Sequence, residues 1–249
     1  MQETKVRYSL IDGIRGISIV SMVLFHFSYD VFMVYGVSPG WYGQLPVRLW
    51  QQSICWTFIL VSGLVWQWSS RSRNLRRGIL LNFWGLVISL VTWIAMPGEA
   101  VWFGILTFIG CAVLFCLPLE RLLNRIPPVP GILACLLLFF QFQHVQNGYL
   151  GFGSLELVRL PDFLYECRLL TPAGFPFPGF ASSDYFPWLP WFFLYLTGYF
   201  LGVIFRRNSV WQAAARRPLP LLSAIGRKSI WIYLLHQPIC MLICMAIFH

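Results

Sequence analysis

Residues 11–30 read IDGIRGISIVSMVLFHFSYD, an apolar run of membrane-spanning length that carries Arg15, His26 and Asp30. An ionisable residue at the centre of a span costs ~2.5 to 3.5 kcal/mol on insertion scales, so three in one helix call for a functional reason. Arg15 and His26 are separated by eleven positions, which at 100° per residue is roughly 20° past three full turns. The two therefore share one helix face about 16 Å apart along the axis. Asp12, Ser18, Met22, Tyr29 and Asp30 fall near the same stripe, which makes one face of this helix a polar track. His26 and Asp30 stand in an i, i+4 relation, from which a carboxylate can hold one imidazole nitrogen and leave the other as a base. The plainer reading is hydrogen bonding between helices.

Working outward, the rest of the chain fits a membrane protein. Of 249 residues, 58% are hydrophobic and only 11% charged, and the mean hydropathy is 0.68, values foreign to a soluble domain of this size. Runs able to cross ~30 Å of hydrocarbon lie near 10–35, 50–69, 78–96, 101–119, 131–145, 187–205 and 225–248. These observations predict an all-α polytopic bundle of about seven spans, forming a single transmembrane domain over 1–249. The fifth run is the weakest, because Gln141, Gln143 and His144 follow a short apolar core. The first run carries no small-residue cleavage site and is read as a retained span.

Basic residues assign the sides. With the amino terminus inside and the carboxyl terminus outside, the cytoplasmic segments collect Lys5, Arg7, Arg71, Arg73, Arg76, Arg77, Arg121, Arg125, Arg206, Arg207, Arg216, Arg217, Arg227 and Lys228, out of 18 Lys and Arg in all. That is the positive-inside asymmetry. The net charge of +9 then reflects topology and contact with anionic lipid of the bilayer, and no nucleic-acid partner is expected. Seven cysteines show no CxxC pair, and neither a disulfide framework nor a metal site is expected. The one long connection, 146–186, contains LTPAGFPFPGFASSDYFPW; its aromatic content points to a packed extracytoplasmic loop.

Three further motifs bear on chemistry. RSRNLRRG at 71–78 places four arginines at a helix entrance, where guanidinium forks suit a polyphosphate, although topology alone also collects arginine in inner loops. FILVSG, FGILTFIG and FLYLTGYFLG carry Ser62, Gly63, Gly104, Gly110, Gly198 and Gly202, read as close helix packing. IGRKSIWIYLLHQP at 225–238 places His236 just before Pro238; a lone histidine there reads first as a satisfied interfacial residue.

Taken in order, IDGIRGISIVSMVLFHFSYD, FILVSG, the arginine run, WFGILTFIG, DYFPWLPWF and IGRKSIWIYLLHQP resemble bacterial members of the heparan-alpha-glucosaminide N-acetyltransferase catalytic-domain family. The Arg-x10-His and Arg-x-x-Arg spacings are similar to those of the wider transmembrane acyltransferase superfamily. Where the family pattern leads one to expect histidine after FGIL, the chain has Thr107.

The resemblance implies transfer of an acyl group, usually acetyl, from cytoplasmic acyl-CoA to a sugar or glycan acceptor on the far side of a bacterial inner membrane. No metal is implied, and homo-oligomerisation is left open. Under that reading Arg73, Arg76 and Arg77 hold the CoA phosphates and Arg15 serves the donor side. His26, oriented by Asp30, takes the acceptor proton or carries the acyl group transiently. Asp184, Tyr185, Trp188 and His236 face the acceptor. Two other classes compete with it. A haem-binding bundle would need paired intramembrane histidines, for which only His26 and His236 are available. A transporter or non-catalytic scaffold for envelope assembly would use intramembrane charges as a permeation path.

Overall fold

A backbone that crosses lipid must satisfy its own hydrogen bonds, which long apolar segments do as helices. The computed structural model describes residues 7–37 and 40–248; Lys5, counted above among the cytoplasmic charges, lies outside them. The described residues form α1 (Ser9–Tyr29), α2 (Leu45–Leu64), α3 (Arg71–Ala95), α4 (Ile105–Leu123) and α5 (Pro128–Gln141), then α6 (Phe163–Glu166), α7 (Trp188–Arg207), α8 (Ser209–Ala215), α9 (Pro220–Arg227) and α10 (Ser229–Ile247). Between α5 and α6 a short antiparallel hairpin pairs β1 (Tyr149–Phe152) with β2 (Leu155–Arg159).

Seven helical stretches among the described residues are long and apolar enough to cross a membrane: Ser9–Val34, Leu45–Trp68, Arg71–Ala95, Ile105–Leu123, Pro128–Asn147, Trp188–Arg207 and Ser229–Ile247. The expected all-α polytopic class with about seven spans is what the chain forms. Most boundaries shift by a few residues from the sequence reading, and two of the shifts change how a motif is placed. The arginine run belongs to the first turns of α3, because nothing in RSRNLRRG opposes helix once Ser70 has supplied an extended residue before it. Residues 225–227 close a separate short helix, α9, which starts at a proline placed where its missing N–H costs nothing.

By its internal contacts the chain divides into two compact units, Met1–Val61 with Phe205–His249, and Ser62–Ile204. In the first, α1 packs against α9 and α10. Glycine makes the closest of these approaches feasible: a Cβ on Gly16 would overlap the Leu222 carbonyl, and one on Gly226 the Asp12 carbonyl. Ile19, Met22 and Phe25 of α1 form a buried cluster with Val47 and Ile54 of α2, and Trp50 Nε1 donates to Ser21 Oγ at 2.7 Å. Beyond Tyr29 the helix widens into a π-turn over Asp30–Val34, a feature frequent at functional sites.

In the second unit α3 lies along α4. Cβ atoms on Gly85 and Gly110 would strike Thr107 and Asn82, and those on Gly63 and Gly202 would strike the Tyr195 and Leu64 carbonyls. The small residues of the FILVSG, FGILTFIG and FLYLTGYFLG segments are thus packing residues at Gly63, Gly110 and Gly202. Thr107 faces Gly85 of α3, where a Cβ would strike its hydroxyl.

Candidate active site

The polar track on α1 meets partners from α10, the other end of the same unit. His26 and His236 stand ring against ring, centroids 4.7 Å apart and planes at 63°. His236 is buried, 8% exposed, so it is not the isolated interfacial residue that its place before Pro238 suggests. Its Nδ1 lies 2.5 Å from the Tyr233 carbonyl oxygen. A carbonyl only accepts, so Nδ1 carries the proton and Nε2 presents a lone pair. That Nε2 is buried and has no hydrogen-bond partner.

Asp30, 1% exposed, accepts a hydrogen bond at Oδ1 from Gln237 Nε2 at 2.9 Å. Its Oδ2 and the Gln237 Oε1 are buried without partners. The i, i+4 spacing suggests that Asp30 holds His26; the carboxylate is instead bonded across to α10, beside His236. The backbone keeps the α spacing up to this point, with the Asp30 N–H on the His26 carbonyl, so it is the contact with Gln237 that takes the carboxylate to α10. Arg15, one end of the same stripe, is ion-paired to Asp12 at 3.2 Å, an i, i+3 contact on its own helix.

The second unit holds the arginines. Arg73 and Arg76 are exposed at the start of α3, and Arg73 Nε donates to Ser70 Oγ at 3.0 Å. Arg71 donates to the Leu117 carbonyl at 3.0 Å and lies 3.5 Å from Glu120. Arg77 turns inward and donates to Ser62 Oγ at 2.7 Å, so its guanidinium is partly occupied by the fold. Asn74, fully buried between these arginines, donates to the Trp66 carbonyl at 3.2 Å and ties α3 to the 3-10 turn that ends the second span.

The connection between α5 and α7 is packed, as its aromatic content suggests. Tyr185 OH donates to the Thr171 carbonyl at 2.5 Å. Asp184 Oδ2 accepts from Ile105 N–H at 3.0 Å, closing the amino terminus of α4. Trp188 stacks on Phe192 at 4.5 Å, with Phe108 and Phe115 against its edges. The polar atoms of Asp184 and Tyr185 named here already serve internal contacts.

A family model described as heparan-alpha-glucosaminide N-acetyltransferase, catalytic, matches residues 7–238. The chain belongs to this family. Neither a curated protein nor a solved structure matches it. The family is one of membrane acetyltransferases, and the match takes in every residue of the α1–α10 cluster down to Gln237 and Pro238. Within the acetyltransferase frame, Gln237 is passed over by sequence reasoning and Ser62 is read only as packing, and their signal is slight: a neutral polar side chain inside an apolar helix, adjoining a histidine in one case and a glycine in the other.

Asp184 is expected to give this fold a pH dependence. Burial pushes its carboxyl up to about 6, against the lowering effect of the Ile105 N–H. The folded chain thus binds a proton between about 4 and about 6 that the unfolded chain releases. The associated stabilisation is complete below about 4 and lost as pH rises through about 6, a swing of at most roughly 3 kcal/mol. Asp184→Asn keeps an oxygen for Ile105 and cannot ionise, so its thermal midpoint in detergent should change less between pH 5 and 7 than that of the wild type. Equal pH slopes in the two proteins would show that Asp184 does not control this step.

Proposed function

We propose that this protein moves an acyl group, acetyl in the first instance, from cytoplasmic acyl-CoA to an extracytoplasmic sugar or glycan acceptor, in a bacterial inner membrane with its amino terminus inside. His26 takes the proton that the acceptor oxygen or nitrogen gives up as it attacks the thioester, general-base work worth about 10² to 10⁴ in rate. Arg73 and Arg76 bind the donor's phosphates, and Arg15 serves the donor side of α1. Asp184, Tyr185 and Trp188 present the acceptor with a carboxylate and aromatic faces. Two imidazoles 4.7 Å apart within candidate spans are the observation that carries this reading, because structural packing in lipid has no need of a pair of titratable rings.

The acyl-CoA donor is tested by incubating detergent-purified protein with acetyl-CoA labelled in the acetyl group, with glucosamine, glucose or water as acceptor. Enzyme-dependent release of CoA, enhanced by a sugar and absent in His26→Ala, is the expected result. Failure to bind or turn over acetyl-CoA would remove the donor and favour a transporter or scaffold.

A further inference from the structure

His26 alone leaves much of the buried polar cluster of the first unit without a purpose. Three acceptor atoms there, His236 Nε2, Asp30 Oδ2 and Gln237 Oε1, are buried with no donor, and an unmet buried polar group is costly. The arrangement around His236 is specific in two respects. The Tyr233 carbonyl fixes its tautomer with the lone pair on Nε2, which is how an imidazole is prepared to receive a proton. The neighbouring residue, Gln237, is bonded to Asp30 of α1, and Asp30 lies about one turn beyond His26. That bond fixes α10 against α1 at the level where the two rings meet.

We propose that His236 is a second catalytic imidazole in the reaction assigned above, and that Asp30, acting through Gln237, is a positioning residue for it. The inference rests on the acyl-transfer reading and divides its proton traffic. As the acceptor's nitrogen or oxygen forms its bond to the acyl carbon, its proton passes to one ring nitrogen of His26. The proton on the other His26 nitrogen moves to Nε2 of His236, directly or through one water. The carbon–sulfur bond breaks, and the departing CoA thiolate takes a proton back from the imidazole pair to leave as the thiol. No proton or electron is gained or lost overall, and no other reactant is needed.

Four measurements on the protein in detergent decide it, with water and glucosamine as acceptors for acetyl-CoA. His236→Gln is expected to lower kcat about 10²-fold or more with the KM for acetyl-CoA nearly unchanged. In His236→Ala, added imidazole is expected to restore turnover in proportion to its concentration, a rescue that a packing defect does not give. Asp30→Asn, which can still accept from Gln237, should retain most activity, whereas Asp30→Leu should lose it with the thermal midpoint near that of Asp30→Asn. Nitrogen chemical shifts of labelled histidine report the tautomer apart from activity, and His236 is expected to show a protonated Nδ1 and a bare Nε2.

The outcomes separate the two claims. A wild type that releases CoA alongside an equally active His236→Gln overturns this inference and leaves the acyl-transfer reading intact. A low activity that imidazole does not rescue, or the opposite tautomer, reduces His236 to a structural residue and likewise overturns it. A wild type that releases no CoA overturns both.

Discussion

His26→Ala is expected to abolish acceptor-dependent release of CoA, lowering turnover by at least about 10² to 10⁴, while the protein still inserts and melts near the wild-type temperature. The separation of activity from stability follows from where the residue sits. His26 makes ring contacts with Phe25 and His236 and is not part of the buried apolar cluster of Ile19, Met22, Phe25, Val47 and Ile54 that holds α1 to α2. It also lies away from the Gly16 and Gly226 approaches that seat α9 on α1. Removing the ring therefore takes away a base and two edge-to-face contacts worth about 0.5 to 1.5 kcal/mol each, and leaves the crossings in place. Near wild-type turnover in this variant would mean that the polar track is a packing device and that the proton leaves by another group. A large fall in the thermal midpoint would point the same way.

What the sequence disclosed and what it concealed divide along local and non-local physics. The seven spans are legible because each is a property of a contiguous window: Ile105–Leu123 or Ser229–Ile247 is apolar enough by itself, whatever its neighbours do. Gly63, Gly110 and Gly202 are legible as packing residues for a similar reason, since a small side chain in an apolar helix has few other uses. The arginine run is legible as charge but not as helix, because a positive-inside argument counts residues and is indifferent to backbone. The short helix α9 is hidden by the apolar residues that follow it, which merge it with the last span when only hydropathy is read. His26 and His236 come from opposite ends of the chain, and no periodicity could have announced their meeting. The i, i+4 rule pairs Asp30 with His26, and the backbone keeps that spacing; the partner the carboxylate takes is Gln237 of α10, which local spacing does not reveal.

Arg73→Ala and Arg76→Ala are expected to weaken CoA binding about ten- to a hundredfold each, because every charge-assisted hydrogen bond to phosphate is worth roughly 1.5 to 3 kcal/mol. Their spacing puts them on one face of α3, and both are exposed, so truncation should cost the fold little. Arg77 is a different case. Its guanidinium donates to Ser62 Oγ, and Arg77→Ala should lower the melting temperature as well as any affinity, because it leaves the buried Ser62 without that donor. Lysine at 73 or 76 should recover only part of the loss, since an ammonium supplies charge without the planar fork. Calorimetric titration of CoA, dephospho-CoA and pantetheine against the wild type and the variants distinguishes phosphate recognition from the general attraction of a basic surface. Affinity should fall along that series in the wild type, and the fall should shrink in the double variant. Equal wild-type affinities for CoA and pantetheine would assign the arginines to topology and anionic lipid, and would leave the donor site to be sought elsewhere in the chain.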